Sequence, residues 1–98
     1  MGDRNRAVIE EFRRNGGVVG GPFTGRPLLL LHTIGHRTGI ERVTPLTYLA
    51  HEGRIFVFAS NAGADHHPAW YRNLSARTAV TYEIGDETRT ATARWANR

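Results

Sequence analysis

Ninety-eight residues supply one domain's worth of chain, and at 40% apolar and 22% charged residues the composition is that of an ordinary folded protein rather than a disordered or fibrous one. Cysteine is absent, which excludes disulfides, thiol nucleophiles and thiolate metal sites. All 13 cationic side chains are Arg, and the net charge of +4 makes an anionic partner the first expectation, although a codon bias toward Arg would leave the same mark.

Helical spacing of Val8, Ile9 and Phe12 predicts a helix over residues 4–14. Asp3 is the expected N-cap, and Arg13 and Arg14 complement the negative end of the helix. Asn15-Gly16-Gly17 ends it, and a Gly-rich connection runs to Pro27. Leu28, Leu29, Leu30 and Leu31 begin a strand apolar on both faces, and no apolar run approaches the ~20 residues of a membrane-spanning helix. The amino terminus lacks the apolar core of a signal peptide, so a cytoplasmic location is expected.

A second strand is expected over residues 41–50, with Pro45 placing it at a sheet edge, and a third over residues 54–60. Three successive strands suggest an antiparallel meander. Pro68 opens a second helix, on which Trp70 and Leu74 share a side. Strands over residues 78–84 and 87–95 flank Gly85-Asp86, a two-residue turn with Gly first. Five short strands, an N-terminal helix and one crossing helix describe a mainly β (α+β) fold and favour a small, partly closed barrel over a sandwich or an α/β sheet.

The turn Gly35-His36-Arg37-Thr38-Gly39, followed by Arg42, carries the chemistry. Two guanidinium groups across a Gly-bounded turn can converge on one phosphate, with backbone amides and the Thr38 hydroxyl completing the cradle. A solvated basic hairpin is the plainer alternative. The His residues lack carboxylates at ligand spacing, so no metal is expected. No Ser lies in a nucleophile-elbow setting, and no aromatic-interleaved strand supports a nucleic-acid partner.

Taken together, Gly20-Gly21-Pro22-Phe23-Thr24-Gly25, Pro27-Leu28-Leu29-Leu30-Leu31, the turn with Arg42 and Pro45-Leu46, Ala59-Ser60 with Gly63, and Pro68-Ala69-Trp70-Tyr71-Arg72-Asn73-Leu74 resemble the deazaflavin-dependent nitroreductases, also described as F420-dependent quinone reductases. The resemblance implies the split β-barrel of the flavin-reductase type as a single domain over residues 1–98. It implies coenzyme F420 (8-hydroxy-5-deazaflavin) as cofactor, with its phosphate held by Arg37 and Arg42 and with His36 and Thr38 on the same turn. Arg37, on the turn itself, is expected to contribute less than Arg42.

The deazaflavin ring is expected along Val43, Thr44, Pro45, Leu46 and Thr47 and along Phe58, Ala59, Ser60 and Asn61. Ala69, Trp70, Tyr71, Arg72 and Asn73 are expected to cover it. Ser60 and Tyr48 are the candidate contacts to the acceptor, a quinone or nitro-aromatic compound. Hydride transfer needs no essential acid or base from the protein, because the cofactor carries the chemistry. The implied protein is a monomer or homodimer, cytoplasmic, and peripheral at the membrane where its acceptor is a quinone. Relatives commonly place Lys where this chain has Asn61, and they continue beyond the position of Arg98 for a further helix and strand that wall the acceptor pocket. A non-catalytic carrier of F420 is the alternative function, and FMN or haem the alternative ligand.

Overall fold

The structure, a computed structural model, describes residues 2–58 and 68–95. Helix α1 covers Gly2–Arg14, β1 Leu28–Ile34, β2 Glu41–Thr47, β3 Leu49–His51, β4 Arg54–Phe56, α2 Ala69–Ala76, β5 Ala79–Ile84 and β6 Glu87–Thr92. The strands form two antiparallel sheets, one in the order β2-β1-β5-β6 and one of β3 with β4. The fold is thus α+β with two helices, and no closed barrel forms among the described residues.

The run of leucines in β1 decides this arrangement. Successive strand side chains point to opposite faces, so Leu28 and Leu30 join Phe12 and Val19 beneath α1. Leu29 and Leu31 join Trp70 and Leu74 beneath α2. Val8 and Ile9 pack on the first cluster, as their helical spacing predicts. Ile55 and Val57, from the β3–β4 hairpin and its exit, pack on the second. Full burial of a Leu contributes about 1.5–3 kcal/mol, and β1 buries four in succession. β1 accordingly takes a central place, paired with β2 on one side and β5 on the other.

Several boundaries differ from the sequence expectation. The first helix starts at Gly2, so Asp3 lies inside it rather than at the non-helical position an N-cap needs. The expected second strand divides at Tyr48. Its N–H donates to the Pro27 carbonyl at 3.2 Å, just beyond the last pair, Leu28 with Thr47, and the chain then leaves to form β3. The anticipated meander therefore becomes a hairpin, β1 with β2, and a separate hairpin, β3 with β4. Glu52 and Gly53, with φ of 52° and 76°, join β3 to β4 in the doubly positive geometry of a type I′ turn. The third expected strand reaches only Phe56 as ladder, and its far end, with Ser60, lies outside the described residues. Pro45 does occupy an edge strand, where its missing N–H breaks no internal ladder.

Two glycines have a geometric reason. Gly85, at φ 57°, is the only residue of its two-residue turn with positive φ, as type II′ geometry requires. A Cβ on Gly17 would lie 2.9 Å from the Gly85 Cα, so the segment leaving α1 passes the β5–β6 turn at backbone contact.

Leu30 is completely buried, whereas Val18 is 68% exposed. Leu30→Ala is expected to lower the unfolding free energy by about 2–5 kcal/mol, while Val18→Ala stays within about 0.5 kcal/mol of the parent. Urea denaturation at equal m-value measures both, and a Leu30→Ala midpoint equal to the parent's would show that β1 is not the core strand.

Candidate functional site

A groove of about 820 Å³ runs round the free edge of β2. Its walls come from four places. Gly35, His36, Arg37 and Thr38 contribute from the β1–β2 turn, Glu41, Arg42, Val43 and Thr44 from β2, and Ala69, Trp70 and Asn73 from α2. The fourth wall is α1, through Asn5, Arg6, Ile9, Glu10 and Arg13. Strand alternation explains how one groove meets both helices: Arg42 pairs with Thr33 on the α2 side of the sheet, whereas Val43 pairs with His32 on the α1 side.

The turn is held rigidly. Gly35 N–H donates to the Ile40 carbonyl and Gly39 N–H to the Gly35 carbonyl, both at 2.8 Å. Thr38 Oγ1 accepts the Ile40 N–H at 3.2 Å. A Cβ on Gly35 would stand 2.6 Å from that hydroxyl oxygen, so only Gly leaves it room. From the other side, buried Asn73 Oδ1 accepts the His36 N–H at 3.0 Å and lies 2.8 Å from His36 Nδ1. Asn73 Nδ2 donates to Thr33 Oγ1 at 3.2 Å.

These bonds leave the amides of Arg37 and Thr38 without an acceptor among the described residues, and neither the Arg37 nor the Arg42 guanidinium has a carboxylate partner there. Of the expected cradle, both Arg residues, His36 and Thr38 line the one groove. The Thr38 oxygen accepts within the turn, and its O–H has no acceptor among the described residues. The turn also gives Arg37 a firmer base than a loosely held hairpin would.

The opposite wall hangs on an ionic chain. Arg13 grips Glu83 with two bonds, Nε to Oε1 at 3.0 Å and a terminal nitrogen to Oε2 at 2.6 Å. His32 stands between two carboxylates, its Nε2 2.6 Å from Glu83 Oε2 and its Nδ1 3.2 Å from Glu41 Oε2. Because the carboxylates face opposite ring nitrogens, they do not converge on one ion. Among the described residues no group of three or more His, Cys, Asp or Glu side chains could hold a metal. The Arg13 hydrogen bonds hold the Glu83 carboxyl below the usual carboxylate range, with His32 adding to the effect and burial opposing it.

The structure brings together His36, Arg37, Thr38, Arg42, Val43, Thr44, Ala69, Trp70 and Asn73 from the sequence-predicted set. It does not bring Pro45, Leu46, Thr47, Phe58, Tyr71 or Arg72 to this groove. Along β2 the groove takes the four residues next to the turn, from both faces of the edge, and Pro45, Leu46 and Thr47 lie further along the strand; α2 presents only one side, which leaves out Tyr71 and Arg72. Leu46 and Tyr48 pack instead on the Trp70 cluster. Tyr71 turns toward Trp95, whose Nε1–H donates to the Tyr71 hydroxyl at 2.8 Å. Phe58 is 66% exposed. Ala59, Ser60 and Asn61 lie outside the described residues. Trp70 is both core and groove edge, as it is buried at 7% exposure yet borders the groove.

The α1 wall was missed by sequence reasoning. The only signal available was the polar face of an amphipathic helix, which does not say what that face will oppose.

Fold and site together define an α+β protein with a groove at a sheet edge, lined by Arg37 and Arg42 near the turn and by Val43, Ala69 and Trp70 beside them. Residues 4–98 match the family described as F420H(2)-dependent quinone reductase, and the chain belongs to that family. An F420H(2)-dependent quinone reductase of Mycobacterium tuberculosis is 37% identical over 75 residues, covering 76% of this chain and 50% of the relative. A solved F420-H2 dependent reductase superposes with a TM-score of 0.57 at 34% identity, covering 65% of this chain and 56% of that one. A structure described as a domain-swapped dimer gives 0.63 at 32% identity, covering 94% and 69%. The chain spans about half the length of the Mycobacterium tuberculosis relative.

Glu83 generates a pH prediction. Its folded-state pKa lies below the unfolded one, so on acidification the unfolded chain takes up the proton first. The stabilisation is therefore fully present above the ordinary glutamate value of about 4.3 and is lost as pH falls through the folded-state value. Glu83→Gln is expected to be less stable than the parent at neutral pH, with the gap narrowing as pH falls from about 5 to about 3. Denaturant titrations across that range measure it, and a constant gap would show that the Arg13 contact contributes nothing.

Proposed function

We propose that this chain binds coenzyme F420 in the groove at the β2 edge and that the protein passes a hydride from the reduced cofactor to a quinone or nitro-aromatic acceptor. The observation that carries the reading is that Arg37 and Arg42 line one groove together with a turn whose Arg37 and Thr38 amides have no acceptor among the described residues. Family membership supplies the cofactor class. The donor set fits a phosphate-bearing cofactor, since Arg forks and backbone amides match phosphate oxygens in geometry and charge.

When bound, the reduced deazaflavin supplies a two-electron hydride, which is chemistry the side chains need not perform. The chain's residues bind and orient. Arg37, Arg42 and the Arg37 and Thr38 amides anchor the phosphate at the turn. Val43, Thr44, Ala69 and Trp70 offer a partly apolar wall on which a flat ring can rest and from which water is displaced. Such anchoring matters because hydride transfer needs donor and acceptor carbons aligned at about 3–3.5 Å. Tyr48 and Ser60 remain the proposed acceptor contacts, and Ser60 with Ala59 and Asn61 the proposed continuation of the site.

The two sheets, meeting where the chain leaves β2 at Tyr48, are proposed to be the halves of a split barrel of the flavin-reductase type. A homodimer is the proposed assembly beside the monomer, in view of the relative described as a domain-swapped dimer. No helix of the described residues is long and apolar enough to cross a membrane.

Fluorescence titration of F420 tests the phosphate role directly. A charge-assisted hydrogen bond contributes about 1.5–3 kcal/mol, so Arg42→Ala is expected to weaken binding roughly ten- to a hundredfold. Arg37→Ala should cost about tenfold, more than a loosely held turn would give. The phosphate-free ring fragment should bind all three proteins alike. Undiminished F420 binding by both variants at low salt, or a preference for FMN, would overturn the reading.

A further inference from the structure

The anchoring turn does not stand by its own hydrogen bonds alone. Asn73, 4% exposed, reaches it from the middle of α2, across a sequence separation of 37 residues. Which end of its amide faces the turn follows from the chemistry of its neighbours. A backbone N–H can only donate, so the atom 3.0 Å from His36 N must be the carbonyl oxygen. That oxygen also lies 2.8 Å from His36 Nδ1, so the ring nitrogen facing it must carry a proton. The amide nitrogen is then left to donate to Thr33 Oγ1, which it does at 3.2 Å. One buried side chain thus links α2, the end of β1 and both the main chain and the ring of His36.

We propose that Asn73 is a positioning residue, acting on the cofactor's phosphate through His36 and the next residue along, Arg37. The inference rests on the anion-groove reading above. It assigns Asn73 a task that neither a filler of the core nor a direct ligand would perform. Fixing the His36 amide and ring fixes the peptide that leads into Arg37, and so the arc through which the Arg37 guanidinium can move. Arg42 needs no such support, because β2 holds it in register opposite Thr33. The clamp also selects the Nδ1–H form of the neutral His36 ring, leaving Nε2 as an acceptor; unconstrained imidazoles favour the other tautomer.

The test combines a double-mutant comparison with a spectroscopic one. F420 dissociation constants are measured for Asn73→Leu in the parent, in Arg37→Ala and in Arg42→Ala. Asn73→Leu should weaken binding by about tenfold in the parent and in Arg42→Ala, but cost clearly less in Arg37→Ala, where only the backbone amide is left for it to position. Nitrogen-15 spectra of the neutral His36 ring should show the Nδ1–H tautomer in the parent and in Asn73→Asp, which keeps an oxygen for both donors, and its loss in Asn73→Leu. Should Asn73→Leu fail to fold, Asn73→Ser, too short to reach His36, carries the same comparison.

A full Asn73→Leu cost in the Arg37→Ala background would overturn the positioning role, as would an unchanged tautomer. If Arg37→Ala and Arg42→Ala both bind F420 like the parent, the phosphate reading fails first. That result differs from the other two, and the clamp's role in binding falls with it.

Discussion

Burial of β1 on both faces is the constraint from which the remaining structure follows. A strand that is apolar in and out cannot lie on a surface; it needs a layer on each side. α1 supplies one layer through Phe12, Val8 and Ile9, and α2 with the β3–β4 hairpin supplies the other through Trp70, Leu74, Ile55 and Val57. With β1 central, β2 is left at the sheet edge. The groove is the space that the two helices and the β1–β2 turn enclose around that edge.

Polar interactions then set the precision of this arrangement rather than its existence. The Asn73 clamp and the Arg13–Glu83–His32–Glu41 chain occupy opposite walls of the groove. Each ties a helix to β1, one through Thr33 and the other through His32. Among the described residues no buried side-chain nitrogen or oxygen lacks a hydrogen-bond partner, which is what a half-polar interior requires. Engaging Arg13 with Glu83 removes one cation from those free to meet a ligand. Of the Arg residues that line the groove, Arg6, Arg37 and Arg42 have no carboxylate partner among the described residues.

Elements with strong local signatures were legible in the sequence. The leucine run had to be a buried strand, Pro45 had to sit at an edge, and Gly85-Asp86 had to turn a hairpin, because each reflects backbone chemistry that neighbours cannot override. The Gly-bounded turn and its two Arg residues were legible for the same reason, being close in sequence. How far the groove extends along each element was not legible. Thr44 reaches it while Pro45, Leu46 and Thr47 lie further from the turn, and Trp70 and Asn73 reach it while Tyr71 and Arg72 do not, because a helix presents only one side.

By itself, then, the sequence determined the central strand, the two core-facing helical stripes, the Gly-bounded turn and the resemblance that names a cofactor, all carried by residues within a few positions of each other. Tertiary structure alone decided that the chain breaks at Tyr48 and that α1 walls the groove. It alone decided, too, that Arg13 is engaged by Glu83, 70 residues away, and that Asn73 fixes His36 from across the sheet end. Those contacts join groups distant along the chain, and their partners are selected by how buried layers stack, a choice that no local pattern of residue types encodes.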